Sequence, residues 1–228
     1  MLAKSAALTS AGRSEHRGCV GVSWCPRCGA ELLAPSVYSS DWRCAEHGPT
    51  LPLSIFTRRD AAALDHIRGR SEVPVWMPDP VPLGWTLSGL AAVGDDRSRL
   101  RATVVACQGP APLGGDGEWL IVAEEPGVGL GSSYARSSVT DARGLSAGVA
   151  AAKIHALGHP TSLWPVLDAV ADRSAYVGEA DGVWLWLISF PADAGYAVLE
   201  DLAVTDVRHR AGPPIGTGPA SRRLRPGS

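Results

Sequence analysis

Short apolar runs bounded by turn residues make up most of the chain from Trp85 onward. Runs of about four to eight residues that are rich in branched and aromatic side chains, and that end at Gly, Pro or Asp clusters, are typical of β-strands. They predict strands over residues 85–93, 100–107, 118–123, 153–157, 162–166, 175–178, 183–190 and 196–204. Residues 197–204 also fit a short helix, because Leu199, Leu202 and Ala203 would share one face.

One of these runs stands out because it is apolar at nearly every position. Residues 183–190 read Val-Trp-Leu-Trp-Leu-Ile-Ser-Phe, which predicts a central strand that is covered on both faces. The preceding residues, Ala180-Asp-Gly182, predict a tight hairpin turn into this strand.

Helical signals are few. Residues 57–68 contain three successive alanines, and Thr57 or Asp60 could cap the short helix that they predict. The following residues 74–85 contain four prolines, which exclude a helix and predict an extended connector. The glycine-rich and serine-rich stretch over 124–153 predicts a long loop.

The strongest chemical signal is a pair of short motifs that precede these elements. Cys25-Pro-Arg-Cys28 and Cys44-Ala-Glu-His47 are separated by fifteen residues. Zn²⁺ in structural sites prefers thiolate and imidazole ligands. A gap of about 15–20 residues between two such pairs is typical of zinc sites. The sequence therefore predicts one tetrahedral Zn²⁺ site with the ligands Cys25, Cys28, Cys44 and His47.

This site would be closed, because protein fills all four positions, whereas a catalytic zinc keeps one position open for water. We therefore predict a structural Zn²⁺ and no catalytic residue. Cys19 could in principle replace His47 as the fourth ligand, but the paired spacing favours His47. Cys107 ends an apolar run, which predicts a small buried hydrophobic side chain rather than a nucleophile.

Together these patterns predict a mainly β fold, with a small N-terminal zinc ribbon, an antiparallel β-rich domain and few short helices. The predicted parts are a disordered N-terminus (1–19), the zinc ribbon (20–52), a helix and Pro-rich connector (53–84), the β-rich domain (85–207) and a disordered basic tail (208–228).

Charge is distributed unevenly, although the formal net charge is only −2. The ribbon has two basic and three acidic residues, and residues 53–206 have 11 basic and 19 acidic residues. Residues 207–228 carry five arginines and no acid. A ribbon that binds nucleic acid should gather Lys and Arg to neutralise phosphates. The acidic ribbon and body therefore argue against a nucleic-acid partner, and only the basic tails keep that alternative open.

The sequence also bears on location. No apolar run reaches the roughly 18 residues of a membrane-spanning helix, and the first residues lack the apolar core of a secretory signal. A thiolate metal site fits a reducing compartment. We expect a protein of the cytoplasm with no membrane span.

Other possible sites give weaker signals. Gly127-Val-Gly-Leu-Gly131 is similar to a phosphate-binding loop, but a nucleotide fold also needs a helix after the loop and a further strand that carries an acid, whereas more loop is expected here after residue 131. His155 and His159 lie four residues apart, but Gly and Pro beside them break the helix that a paired metal site would need. The residues at 124–125, 179–181 and 200–201 could supply paired carboxylates, but an acid–base pair is defined by distances that sequence does not give.

Five segments of the body carry a resemblance to a known family. They are Pro74-Val-Trp-Met-Pro78, Gly94-Asp-Asp-Arg97, Pro112-Leu-Gly-Gly115, Val128-Gly-Leu-Gly131 and Gly182-Val-Trp-Leu-Trp186. With the ribbon, they resemble an uncharacterised actinobacterial family, a domain of unknown function that starts with a zinc ribbon. The resemblance covers residues 22–207. Members of the family begin near the first cysteine motif, residues 25–28, which is called the first knuckle. Residues 1–21 therefore depart from the resemblance, and the native start residue stays open. The label phosphotransacetylase given to some relatives belongs to a larger α/β enzyme, which this chain does not resemble.

We therefore expect a non-enzymatic binding or regulatory module with a structural zinc and a protein partner. This interpretation predicts an exposed apolar patch near Trp76 and Trp85. One alternative is a small-molecule enzyme that uses the loop at 127–131 and nearby carboxylates, which predicts a deep pocket with a perturbed acid or histidine. The other is nucleic-acid binding through the ribbon and the basic tails, which predicts steep salt dependence.

Overall fold

The computed structural model describes residues 22–139, 148–198, 202–209, 212 and 216–227. The strands in these residues are β1 (Arg43–Cys44), β2 (Gly48–Pro49), β3 (Leu53–Phe56), β4 (Trp76–Pro78), β5 (Thr86–Val93), β6 (Ala102–Pro110), β7 (Asp116–Glu124), β8 (Ala152–Ala156), β9 (His159–Pro165), β10 (Ser174–Ala180), β11 (Val183–Phe190) and β12 (Ala203–Asp206). The helices are α1 (Ala61–Arg70), α2 (Leu130–Ala135) and a 3-10 helix (Ala192–Val198). The expected disordered N-terminus, Cys19 and the carboxylate pair at 200–201 lie outside the described residues.

Ten of the strands form one sheet in the order β3-β5-β6-β7-β11-β10-β9-β8-β12-β4, and β1 and β2 form a separate small sheet in the ribbon. Every pairing in the large sheet is antiparallel except that of β12 with β8. The predicted fold class, mainly β with few short helices, is confirmed. The sheet also curls, and the curl brings its edge strand β4 into contact with β6 and β7.

The predicted central strand and its hairpin are both present. β11 pairs with β7 on one side and with β10 on the other. Ala180 pairs with Val183, so the hairpin loop consists of Asp181 and Gly182, whose φ angles are 55° and 75°. Two successive left-handed residues are the turn that matches the twist of a hairpin, and Asp-Gly suits it.

Two apolar clusters cover the two faces of the sheet. Alternate residues of each central strand point to opposite faces, so paired strands contribute to both clusters. The inner cluster, inside the curl, includes Ile67, Met77, Val105, Ile121, Ile154 and Leu187. The outer cluster includes Val104, Val122, Leu130, Tyr134, Trp186 and Leu224. The outer face is therefore covered by α2 and by the C-terminal segment.

Two local predictions differ from the structure. The expected loop over 124–153 contains α2. The expected strand over 196–204 is replaced by the 3-10 helix and by β12, which begins at Ala203. The indole Nε1 of Trp119 donates to the carbonyl oxygen of Ala194 at 3.2 Å, and this bond holds the 3-10 helix over β7.

The predicted helix after residue 57 is α1. The Asp60 carboxylate accepts a hydrogen bond from the Ala63 N–H at 3.0 Å, so Asp60 rather than Thr57 is the capping residue. The helix continues through Gly69 and ends at Arg70.

Residues 216–227 differ from the expectation of a disordered tail. This C-terminal segment, called the tail below, runs across the body and reaches the ribbon. Leu224 is buried in the outer cluster, and the N–H of Leu87 donates to the carbonyl oxygen of Gly216 at 2.8 Å. The arginines of the tail suggested solvation, but aromatic rings and carbonyl groups of the body and ribbon bind two of them.

Candidate metal centre

Each cysteine-rich motif forms a tight turn that ends at a glycine. In the first, the N–H of Gly29 donates to the carbonyl oxygen of Cys25, and the N–H of Cys25 donates to that of Ala30, both at 2.8 Å. In the second, Cys44 pairs with Gly48 across the β1–β2 hairpin. Gly29 and Gly48 have φ angles of 69° and 67°, a left-handed conformation that glycine adopts without strain.

These turns bring the four predicted ligands together. The Sγ atoms of Cys28 and Cys44 are 3.6 Å apart. The Nδ1 atom of His47 lies 3.6 Å from the Sγ of Cys44 and 3.7 Å from the Sγ of Cys25. All four ligand atoms lie within 4.8 Å of one another, so the cluster is compatible with one metal ion.

The pKa values of two thiols in the cluster are shifted in opposite directions. Burial and the neighbouring thiols raise the pKa of Cys28 to about 12. Burial also opposes ionisation of Cys44, but hydrogen bonds from His47 outweigh it and lower the pKa of Cys44 to about 6. Without a cation, Cys28 therefore keeps its proton at neutral pH. A bound metal would stabilise the thiolate and release that proton.

The ribbon is hydrogen-bonded to the body at its first knuckle. The backbones of Trp24 and Leu53 exchange two hydrogen bonds of 3.0 and 2.8 Å, which join the ribbon to β3. Arg27, between the first two cysteines, donates its Nη2 to the carbonyl oxygen of Gly127 at 2.7 Å and its Nε to that of Val128 at 3.3 Å. In return the Ser133 hydroxyl donates to the carbonyl oxygen of Arg27 at 2.8 Å.

The carbonyl groups of the glycine loop at 127–131 therefore bind Arg27 on the outer side of the loop. On its inner side the buried carboxylate of Glu124 accepts a hydrogen bond from the Leu130 N–H at 2.7 Å. Burial raises the pKa of Glu124 to about 7. A phosphate-binding loop needs free amide groups at the start of its helix. Here a carboxylate of the same chain already occupies one of them, so the loop does not have the form of a phosphate site.

Residues 20–224 match a family of unknown function, DUF6758. The chain belongs to this family. No curated protein and no solved structure matches it. The DUF6758 match includes the ribbon, the sheet and the tail as far as Leu224, so these parts belong to one family domain. Among the residues that the structure describes, no helix is both long and apolar enough to cross a membrane.

Within the described residues of the DUF6758 chain, the histidines at 155 and 159 form no metal site with a third ligand. His155 and His159 are both exposed in the β8–β9 hairpin. Asp181 pairs with Arg208 at 2.7 Å. Cys107 is fully buried, as predicted, and burial raises its pKa to about 12, so it stays a thiol at neutral pH.

The indoles of Trp76 and Trp85 do not form the expected exposed apolar patch, although Leu83, two residues before Trp85, is 98% exposed. Both indoles are buried, with 1% and 6% of their surface exposed, and Trp85 stacks on Trp119 with ring centroids 3.7 Å apart. The prolines around them bring the connector into the core as β4 rather than leaving it on the surface. Exposed apolar side chains also occur in the ribbon hairpin over 33–43, whose ends are joined by the bridge between Leu33 and Arg43 and in which Val37 and Tyr38 are 93% and 96% exposed.

An open cleft of about 1050 Å³ lies where one end of the sheet meets the tail. Glu118, Phe190 and Arg223 are among the residues that line it. Two of its carboxylates pair with arginines: Glu118 lies 3.6 Å from Arg223, and Asp172 lies 2.6 Å from Arg173. The carboxyl with the raised pKa, Glu124, does not line the cleft.

Proposed function

We propose that this chain is a non-enzymatic binding or regulatory module of the cytoplasm, whose ribbon is folded by a structural Zn²⁺ bound by Cys25, Cys28, Cys44 and His47. The spacing of the ligand atoms carries the proposal. Zn²⁺ bonds of about 2.3 Å to sulfur and about 2.0–2.1 Å to nitrogen place tetrahedral ligand atoms about 3.5–3.8 Å apart. Three of the separations in the cluster are 3.6, 3.6 and 3.7 Å.

A structural rather than catalytic role is supported by the composition of the site and of the ribbon. Four protein ligands leave no position for substrate or water. The buried core of the ribbon consists of Cys25, Leu32 and Cys44, so two of its three members are metal ligands. A core this small cannot fold a ribbon without its metal. Thiolate ligands also favour a reducing compartment.

A protein partner is supported by the surface of the ribbon. Its hairpin exposes the apolar side chains of Leu33, Val37 and Tyr38. The ribbon carries more acidic than basic residues, which disfavours binding to phosphate groups. An apolar surface without a basic patch suits a protein better than a nucleic acid.

The proposal is tested by the metal content of the full chain, purified without a metal-affinity step and measured by plasma mass spectrometry. We expect one zinc per chain, and loss of zinc in Cys25→Ser and Cys44→Ser. Cys107→Ala is the matched control, since it removes a buried thiol outside the cluster and should keep the zinc. Wild-type chain without zinc, or cluster variants that retain it, would overturn the proposal.

A further inference from the structure

The tail adds a strand to an open edge of the large sheet. β3 pairs with residues 90–93 of β5, so the first residues of β5 have no strand on that side. The tail covers them. Leu87 donates its N–H to Gly216 and accepts one from Gly218 at 2.9 Å, and the N–H of Ser221 donates to the carbonyl oxygen of Ser88 at 2.8 Å. Addition of an extended segment to an open sheet edge is a common way in which proteins bind peptides.

Three successive side chains then enter separate sites, and the first is Arg223. Its guanidinium carbon lies 4.2 Å from the centroid of the Phe190 ring. Its Nε lies 3.6 Å from the carboxylate of Glu118, which is itself buried and accepts a hydrogen bond from Ser88 at 3.2 Å. An aromatic face beside a buried carboxylate is a site for a guanidinium group.

The second side chain is Leu224, which is 3% exposed. Its space exists because residue 89 is a glycine: a Cβ atom on Gly89 would lie 2.5 Å from Cδ1 of Leu224. The Tyr134 hydroxyl donates to the carbonyl oxygen of Leu224 at 2.6 Å. This site therefore binds both the side chain and the backbone of an aliphatic residue.

The third side chain is Arg225, whose site belongs to the ribbon. Its guanidinium carbon lies 3.8 Å from the centroid of the Trp24 ring, and its Nε donates to the carbonyl oxygen of Gly29 at 3.0 Å. Gly29 follows the metal ligand Cys28 directly. The third site is therefore complete only when the first knuckle is folded.

From this arrangement we infer that the surface beneath the tail is a groove for a basic segment of a partner protein, which the chain's own tail occupies as an intramolecular ligand. The groove, called the tail groove below, consists of the open edge of β5 and the sites at Glu118, Gly89 and Trp24. It fits an extended segment with the order Arg, aliphatic, Arg. The inference rests on the proposed function, and it specifies the partner as a protein with such an extended basic segment.

Charge and burial explain why such a ligand can be exchanged. The tail carries arginines and no acid, whereas the body over 53–206 has eight more acidic than basic residues. Of the tail residues only Leu224 and Pro226 are buried, so local detachment removes few side chains of the tail from the core. A nucleic acid does not suit the groove, because its phosphates would face the carboxylate of Glu118.

A labelled synthetic peptide with the sequence of residues 216–227 tests the inference by fluorescence anisotropy. It is added to the full wild-type chain and to the full-length variant Arg223→Glu/Arg225→Glu. Reversing both charges weakens the chain's own tail, so the fraction of chains with an open groove rises. We expect the variant to bind the peptide at least about tenfold more tightly than wild type, because apparent affinity scales with the competent fraction.

Two controls separate the groove from general charge attraction. A shuffled peptide of the same composition should bind at least about tenfold more weakly. Adding Gly89→Val to the charge-reversed variant should abolish binding, because the new side chain fills the leucine site. Equal binding of the shuffled peptide, or equal binding by wild type and the charge-reversed variant, would overturn the inference. Both variants are first checked for a cooperative thermal melt.

If the charge-reversed variant does not fold, the wild-type chain still gives an answer. Unlabelled peptide in excess should accelerate hydrogen exchange at the amides of Gly218 and Ser221 in isotope-labelled chain, and unchanged exchange counts against the groove. A tail-exchanged dimer in sedimentation velocity would assign the groove to a second copy and overturn the separate partner. Metal content is measured on the same samples: zinc without peptide binding refutes the groove alone, and peptide binding without zinc refutes the metal module alone.

Discussion

Arg27 donates its Nη2 to the carbonyl oxygen of Gly127 at 2.7 Å, across 100 positions of sequence. Arg27 lies between two of the candidate metal ligands, Cys25 and Cys28. Gly127 opens the loop that leads to α2, which covers the outer face of the sheet. The contact therefore links the stability of the metal centre to that of the body.

Replacing Arg27 with Met should weaken this link without removing a ligand. The variant loses two side-chain hydrogen bonds to the loop, each of which contributes about 0.5–1.5 kcal/mol. Because Arg27 is exposed, we expect the lower part of that range, a loss of about 1 kcal/mol in the free energy of unfolding measured in urea. Zinc content should stay at the wild-type level.

The matched control for that variant is Arg43→Met. Arg43 is the other arginine of the ribbon, and it is exposed like Arg27, but it contributes only its backbone to β1 and to the bridge with Leu33. Its replacement should change stability by less than about 0.5 kcal/mol. An equal effect of the two substitutions would show that the contact with the glycine loop contributes nothing specific.

Glu124 should make the stability of the chain depend on pH. Its pKa is raised by burial from 4.5 to about 7, so the folded chain binds this proton more tightly than the unfolded chain. The free energy of unfolding should therefore fall as pH rises from about 4.5 to 7, by roughly 3 kcal/mol for a shift of this size. Glu124→Gln cannot ionise and should lack this fall.

The measurement is urea unfolding at several pH values between 4.5 and 8, with zinc present at constant concentration. Other titrating groups contribute equally to both chains, so the difference between wild type and Glu124→Gln isolates the carboxyl. Glu125→Gln is the control, because Glu125 pairs with Arg101 outside the loop and its replacement should leave the fall in place. Parallel curves for wild type and Glu124→Gln would contradict the assignment.

The sequence predicts those features of the fold that depend on neighbouring residues. The strand over 183–190 and its hairpin follow from apolar residues in succession and from Asp-Gly before them. The four members of the metal cluster follow from two local spacings, which the structure brings together. In each case the residues that determine the feature are close in sequence: they form one apolar run over 183–190, or one pair of ligands within four residues.

The features that sequence analysis missed depend on partners far away in the chain. From the sequence alone, the arginines of the tail suggest a solvated segment. In the structure, the ring faces of Phe190 and Trp24 lie against two of these arginines. Sequence analysis left the glycine loop without a partner because Arg27, which donates to it, is 100 residues away. The prolines around Trp76 exclude a helix, and this suggested that Trp76 lies on the surface. Prolines do not exclude an edge strand, and Trp76 lies in the edge strand β4.

Removing the metal should loosen the ribbon and the strand next to it before the rest of the sheet. Leu53 in β3 exchanges two hydrogen bonds with Trp24, whereas β6, β7 and β11 lie between other strands. We expect a strong chelator to speed hydrogen exchange in residues 24–56 and to leave the central strands protected. Chelator that is already loaded with zinc is the control. Uniform loss of protection would show that the metal supports the whole fold.

Gly29 and Gly48 allow the tail to be tested separately from the metal centre. Each follows the last ligand of its turn, with a φ angle of 69° or 67°, so alanine at either position carries the same left-handed strain of about 1–2 kcal/mol. Their surroundings differ. A Cβ atom on Gly29 would lie 1.8 Å from the carbonyl oxygen of Pro226, whereas one on Gly48 has nothing within 4 Å. Only Gly29→Ala should therefore displace the tail.

Trypsin provides the measurement, because the bond after Arg223 precedes Leu224, which is buried in the native chain. Under native conditions we expect this bond to be cleaved at least about tenfold faster in Gly29→Ala than in Gly48→Ala, since cleavage follows the population of the open form. Both variants should keep zinc, and Gly29→Ala should lose more stability than Gly48→Ala, because it also loses the contacts of the tail. If the two are cleaved at the same rate, the tail does not depend on the first knuckle, and the ribbon cannot contribute the third site of the tail groove.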